Sequence, residues 1–209
     1  MGSAGVLEGA VLVRTPQRYS ETLVPMLDFV VAQLKGSLEE IDLLAVATGP
    51  GSFTGVRIGL AVVKAIGQSR KIMGLGLSTL EALARCFAEY SQLVAPMLDA
   101  RRGQVYGAVY SWTDQQTRLC VKEQVVRPGC WLESLPEDLN PLFVGTGAAA
   151  HQDLIRSSRP GASLMVEQPP LLSALLQLAD ERAAEAIAVE EIRANYIRPS
   201  DAQLGRKGV

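Results

Sequence analysis

The stretch that most constrains this chain is LLAVATGPGSFTGVRIGLAVVKAIG, Leu43 to Gly67. Leu43–Ala47 has the length and apolar content of a buried strand, and Gly49, Pro50 and Gly51 then break it. Ser52 stands where an N-cap belongs, and Phe53–Gly67 continues with helical periodicity. A strand handing over to a helix through a tight turn commits the region to α/β layering. Each glycine inside a helix costs roughly 0.5–1 kcal/mol relative to alanine, so Gly55, Gly59 and Gly67 need an offset. One candidate is an anion at the helix N-terminus, with Gly49, Gly51, Ser52 and Thr54 as the anion-binding turn. The other is close packing, since Gly51, Gly55, Gly59, Val63 and Gly67 repeat every four residues and make one smooth face. The turn is not a P-loop, because no Gly-Lys-Ser/Thr follows at the required spacing. Nor is it the dinucleotide fingerprint, whose third glycine would fall at Thr54. Spacing favours packing and leaves the anion open.

The flanking sequence repeats the interleaving. Gly5–Val13 reads as a hairpin turning at Glu8-Gly9, and Tyr19–Leu34 as a helix with Ser20 as cap and Pro25 placed awkwardly inside it. Leu77–Glu89 reads as a helix, with Ser78 and Glu81 forming a capping box. Leu93–Leu98, Gln104–Trp112, Leu119–Val126 and Leu142–Gly145 read as strands. A helix follows from about Ala148, and Leu171–Ala188 as one amphipathic helix. The expectation is an α/β chain of two lobes, 1–98 and 99–209, with the boundary near Pro96–Arg102 and a polar tail packing back on the first lobe.

Composition limits the function. Lys plus Arg number 20 against 22 Asp plus Glu, a net charge of −2, so the chain as a whole has no basic excess with which to grip nucleic acid alone. Cys86, Cys120 and Cys130 lie far apart and read as reduced thiols of a cytoplasmic protein. No apolar run has membrane-spanning length, and the start shows no signal peptide. The single histidine, His151, leaves little material for a metal site or a catalytic pair, and the G-x-S-x-G elbow is absent. Asp99-Ala100-Arg101-Arg102-Gly103 reads either as a solvent-facing hairpin turn or as Asp99, Arg101 and Arg102 held at a lobe junction to meet a partner or anion. Gly145-Thr146-Gly147 is a weak nucleotide-turn signal. No residue is assigned a catalytic role.

GPGSFTGVRIG, with YSETLVPMLDFVV before it and LSTLEALA and LDARRGQVY after it, resembles the bacterial TsaB (YeaZ) family. A looser match continues to NYIRPSDA. The resemblance implies the two-lobed actin, heat-shock protein and sugar-kinase (ASKHA) fold, with mixed sheets flanked by helices. It implies a non-catalytic scaffold for TsaD, which transfers threonylcarbamoyl to adenosine 37 of tRNA with the ATPase TsaE. It further implies no cofactor of the chain's own, ATP and metal belonging to the complex, and contact with tRNA only through that complex. In the family the two N-terminal helices pair with TsaD, or with a second copy when TsaD is absent. Carried over, the interface is Leu23, Leu27, Val30, Val31, Gly55, Gly59, Val63 and Gly67. Two departures stand out. MGSAG offers no counterpart of the family's opening strand with its Asp-Thr-Ser run, so either the start is truncated, with further coding sequence expected upstream, or the sheet has lost a central strand; and Tyr19 stands where the family commonly has histidine. An active phosphotransferase of the same superfamily and a hydrolase or peptidase are the alternatives.

Overall fold

The structure is a computed structural model that describes residues 1–13, 19–34, 37–113 and 116–198. Contacts divide the chain into two units. The first comprises Met1–Ala82 with Pro170–Ala194, and the second Leu83–Pro169 with the residues from Asn195.

The first unit opens with a small antiparallel hairpin of β1 (Gly2–Ser3) and β2 (Val6–Leu7). Its turn is Ala4-Gly5, both at positive φ (47° and 72°), the backbone twist that matches paired strands. The turn expected at Glu8-Gly9 is therefore displaced; those two N–H groups instead donate to the Met1 carbonyl at 3.1 Å each. Helix α1 (Tyr19–Gln33) runs straight through Pro25, which is exposed. The carbonyl that Pro25 leaves unpaired is that of Glu21, also at the surface, where water can meet it.

The opening stretch folds as read. Strand β3 (Leu43–Gly49) leads through the glycine turn into α2 (Phe53–Arg70), which crosses over to the parallel strand β4 (Met73–Ser78). Helix α2 ends on Lys71 in the left-handed region (φ 57°), and the Ile72 N–H donates to the Gly67 carbonyl at 2.9 Å. Strand β4 was not legible in the sequence, and it takes Leu77 and Ser78 from the expected helix, leaving α3 (Thr79–Arg85). The reason is packing. A Cβ at Gly74 would lie 2.9 Å from both Ile192 Cδ1 and Val189 Cγ1, and one at Gly76 2.9 Å from Ile192 Cγ2. The positions that would have shown alternation are empty so that neighbours can fill them. Ser78 does cap α3, its hydroxyl accepting from the N–H groups of Leu80 (3.1 Å) and Glu81 (3.3 Å).

The second unit is a mixed sheet with short helices. Its elements are β5 (Leu93–Asp99), β6 (Val105–Thr113), β7 (Gln116–Val126), α4 (Pro128–Ser134), β8 (Leu142–Val144), α5 (Thr146–Ala150), α6 (Gln152–Ser158) and β9 (Ser163–Met165). The strand order is β7-β6-β5-β8-β9, antiparallel among the first three and parallel from β5 outward. The helix expected near Ala148 is two helices, because His151 (φ −121°) leaves helical geometry between them. Trp131 and Phe143, both fully buried, meet edge to face at 6.3 Å in the core. The Arg159 guanidinium ties the end of α4 to the following loop, donating to the carbonyls of Leu132, Leu135, Pro136 and Leu139.

The chain then rejoins the first unit as α7 (Leu172–Glu181) and β10 (Ile187–Ala188). The single helix expected over Leu171–Ala188 stops at Glu181, since Arg182 turns out of it (φ −114°). Ile187 and Ala188 then pair antiparallel with β4, giving the order β10-β4-β3. The division at residues 98 and 99 differs from the observed units for a related reason. Strand β5 pairs with both β6 and β8, so it belongs wholly to the second sheet, while Pro170–Ala194 belongs to the first unit. The described start of the polar tail, residues 195–198, groups with the second unit, where Asn195 donates to Glu123 and Arg198 to the Ala100 carbonyl, instead of packing back on the first; residues 199–209 lie outside the described residues.

Candidate functional site

The glycine turn places a helix N-terminus at the end of β3. Gly49 is buried with φ 108° and precedes a cis bond to Pro50. Gly51 is exposed, and a Cβ there would meet nothing within 4 Å. The Ser52 hydroxyl accepts from the Gly55 N–H (3.2 Å), as a cap should, and Thr54 is exposed beside it. The Arg57 guanidinium lies 4.3 Å above the centre of the Phe53 ring.

The glycine stripe of α2 turns inward at Gly59 and Gly67, whereas a Cβ at Gly55 would meet only its own cap residue Ser52 and one at Gly51 nothing within 4 Å. A Cβ at Gly59 would meet Val46 Cγ2 of the adjacent β3 at 3.5 Å. At Gly67 it would meet Val189 Cγ1 and Cγ2 at 2.5 and 2.7 Å. Val63 packs on the buried cluster of Val46, Leu60, Val189 and Ile192. On α1, Val30 is only 8% exposed, while Leu23, Leu27 and Val31 are half-buried, as is Gly55 on α2. Strand β3 covers the stripe at Gly59 and Val189 covers it at Gly67. The outer sides of the packed pair α1 and α2 instead expose Val24 (48%), Phe29 (54%) and Phe53 (44%). Sequence reasoning passed over these three because they lie off the buried stripe; their apolar character at polar-face positions was the available signal.

The other candidates lie in the second unit. Asp99-Ala100-Arg101-Arg102-Gly103 is the loop of the β5–β6 hairpin, with Asp99, Arg101 and Arg102 exposed. Asp99 Oδ1 accepts from the Arg101 N–H (2.7 Å), and the Asp99 N–H donates to Thr146 Oγ1 (3.0 Å). Gly145 and Gly147 permit close packing of α5: a Cβ at Gly145 (φ 95°) would lie 2.6 Å from the Met97 carbonyl oxygen, and one at Gly147 3.0 Å from Val105 Cγ1. His151 marks the break between α5 and α6, far in the sequence from Ser52 and in the other unit.

Two polar clusters were missed by sequence reasoning. In the first unit the Glu81 carboxylate, 6% exposed, accepts a bidentate pair from Arg182 Nη1 (3.1 Å) and Nη2. Burial works against the charge on Arg182, but the hydrogen bonds and charge of Glu81, helped by Glu185 and Glu181, outweigh it and raise the guanidinium above its ordinary value. In the second unit Glu123 accepts from the buried Tyr110 hydroxyl (2.6 Å) and from the Asn195 amide (2.6 Å). A shallow cavity of about 210 Å³ in the same unit is lined by Cys86, Phe87, Tyr90, Met165 and Glu167 among others, and burial pushes the Cys86 thiol up. Among the described residues no three His, Cys, Asp or Glu side chains gather as a metal-ligand group, and no helix is long and apolar enough to cross a membrane.

Comparison with known proteins agrees with this architecture. The TsaD family model, described as tRNA N6-adenosine threonylcarbamoyltransferase, matches residues 9–203. The tRNA threonylcarbamoyladenosine biosynthesis protein TsaB of Bacillus subtilis (strain 168) is 33% identical over 169 residues, covering 79% of this chain and 73% of the relative. The Escherichia coli (strain K12) TsaB is 29% identical over 195 residues, covering 88% and 82%. Among solved structures, an uncharacterized protein with similarity to peptidase YEAZ from Pseudomonas aeruginosa superposes with a TM-score of 0.75 over 92% of both chains at 27% identity. YeaZ from the same organism superposes with a TM-score of 0.72 over 85% of this chain and 84% of that one, also at 27% identity. Mixed sheets flanked by helices, with these neighbours, make the fold ASKHA-like, and the chain belongs to the TsaB (YeaZ) family.

Proposed function

We propose that this chain serves tRNA threonylcarbamoyladenosine biosynthesis as a non-catalytic scaffold that binds TsaD through the outer sides of α1 and α2. The observation that carries the reading is the exposure of Val24, Phe29 and Phe53 on two helices that pack together. Fully burying a large apolar side chain is worth about 1.5–3 kcal/mol, so half-exposed residues of this kind contribute about 1 kcal/mol each when a partner covers them. The family names support the pathway, and the position of the three side chains supports the surface. Gly59 and Gly67 act one step earlier, by letting α2 sit close to β3 and to Val189. TsaE joins the complex with ATP, and a second copy of the chain takes the surface when TsaD is absent.

The test is co-purification and titration with TsaD from the same organism. Phe29→Asp and Val24→Asp should each weaken TsaD binding at least tenfold while the circular dichroism spectrum and melting temperature stay near those of the unaltered chain. His151→Ala should keep most of the reconstituted tRNA modification, because a catalytic acid or base typically contributes about 10²-fold or more. Unchanged TsaD affinity in both aspartate variants would defeat the proposed surface. Loss of turnover by orders of magnitude in His151→Ala with TsaD still bound would defeat the non-catalytic role.

A further inference from the structure

The loop joining β5 to β6 is held in a conformation that its residues disfavour. Arg101, Arg102 and Gly103 occupy the left-handed region in succession, with φ of 59°, 55° and 68°. Only glycine visits that region without cost, and non-glycine residues there persist when their surroundings over-determine them. The surroundings here do so from three directions. Within the loop, the Ala100 N–H donates to the Gln104 carbonyl (2.9 Å) and the Gln104 N–H to the Arg101 carbonyl (3.1 Å). From α5, Thr146 Oγ1 accepts from the Asp99 N–H. From the C-terminal segment, the Arg198 guanidinium donates to the Ala100 carbonyl (2.9 Å) and to Gln104 Oε1. That segment is itself fastened by Asn195 to Glu123.

Arg101 and Arg102 are exposed, and the one carboxylate of the loop, Asp99, is turned onto the Arg101 N–H. Register adds another positive charge. Asp99 pairs with Val105 and Val105 with Val126, so the exposed Arg127 follows at the same end of the sheet. A chain of net charge −2 thus gathers Arg101, Arg102, Arg127 and Arg198 at one end of one sheet. Guanidinium forks match phosphate oxygens, and a loop already fixed loses little further entropy on binding.

We infer that the Asp99–Gly103 loop is a preorganised contact for the phosphate backbone of RNA, with Arg101 and Arg102 touching phosphate and Arg198 as a positioning residue. The inference rests on the reading that the chain works on tRNA together with TsaD, and it deepens that reading. Two or three phosphate contacts are too few for the chain to hold RNA alone, so the contribution appears within the complex.

The experiment measures tRNA binding by the reconstituted complex with TsaD across a salt series. Arg101→Ala combined with Arg102→Ala should lower tRNA affinity about tenfold and flatten the log affinity–log salt slope by about one to two, with TsaD affinity unchanged. Arg198→Ala should lower tRNA affinity in the same direction with both loop arginines present. Arg101→Gly with Arg102→Gly separates function from folding, because glycine suits the left-handed backbone: the melting temperature should hold or rise while tRNA affinity falls. The corresponding lysine pair should restore most of the salt slope. Unchanged tRNA affinity in the alanine pair overturns the inference, as does loss of TsaD binding, which would make the loop a protein contact. If the unaltered chain forms no complex with TsaD, the scaffold reading fails and this inference with it. A complex that forms but ignores the arginines sinks the inference alone.

Discussion

Two glycines eight residues apart on α2 should respond to alanine with opposite signs. At Gly59 the added Cβ sits 3.5 Å from Val46 Cγ2, an ordinary contact, so only helix propensity changes. Alanine is favoured there by up to about 1 kcal/mol, and Gly59→Ala should stabilise the chain by about 0.5–1 kcal/mol. At Gly67 the Cβ would overlap Val189 Cγ1 and Cγ2 at 2.5 and 2.7 Å and approach the Ile72 carbonyl oxygen at 3.0 Å. Val189 is 1% exposed and lies in the cluster with Val46, Leu60 and Ile192, so it cannot swing away freely. Overpacking of this kind costs about 1–3 kcal/mol, which exceeds the propensity gain and leaves Gly67→Ala destabilised by about 1–2 kcal/mol. Urea unfolding followed by circular dichroism should separate the two variants by about 2 kcal/mol, or several degrees in melting temperature. Adding Val189→Ala to Gly67→Ala should recover part of the loss as a coupling of at least about 0.5 kcal/mol. Equal stability of the two variants would show that Gly67 is not packed against Val189. Weakened TsaD binding by Gly59→Ala, with folding unchanged, would return that face to the partner.

Glu81→Gln should cost about 3 kcal/mol in the unfolding of the first unit, because it leaves the Arg182 guanidinium without its carboxylate in a largely buried site; a loss below about 0.5 kcal/mol would mark the pair as a surface-like bridge. The thiol of Cys86, raised by burial, favours its neutral form in the folded chain, so that preference is present at neutral pH and is lost as pH rises through the raised value. Iodoacetamide at pH 8 should therefore modify the exposed Cys120 and Cys130 first and Cys86 last, with mass spectrometry reading the order. Cys86 reacting first would contradict its burial.

Local sequence determined those parts of the fold whose signals lie within one element. The run Leu43–Gly67 announced its strand, turn, cap and helix because each uses residues next to one another: an apolar pentad, a glycine turn, Ser52 accepting from Gly55. Strands β5, β6, β7 and β8 of the second sheet were legible for the same reason, while the three-residue edge strand β9 was not. Strand β4 was hidden, since Gly74 and Gly76 are there for the sake of Val189 and Ile192, more than a hundred residues away. The end of α7 was hidden as well, because Arg182 leaves the helix to meet Glu81. The site divided along the same line. Periodicity established that Gly55, Gly59, Val63 and Gly67 share a face, yet a helix has no means of recording locally what covers that face. Only the tertiary structure decided that β3 covers it at Gly59 and Val189 at Gly67, and that Val24, Phe29 and Phe53 stay outside. Long-range packing assigns inside and outside, and that assignment depends on residues that the pattern along one helix never samples.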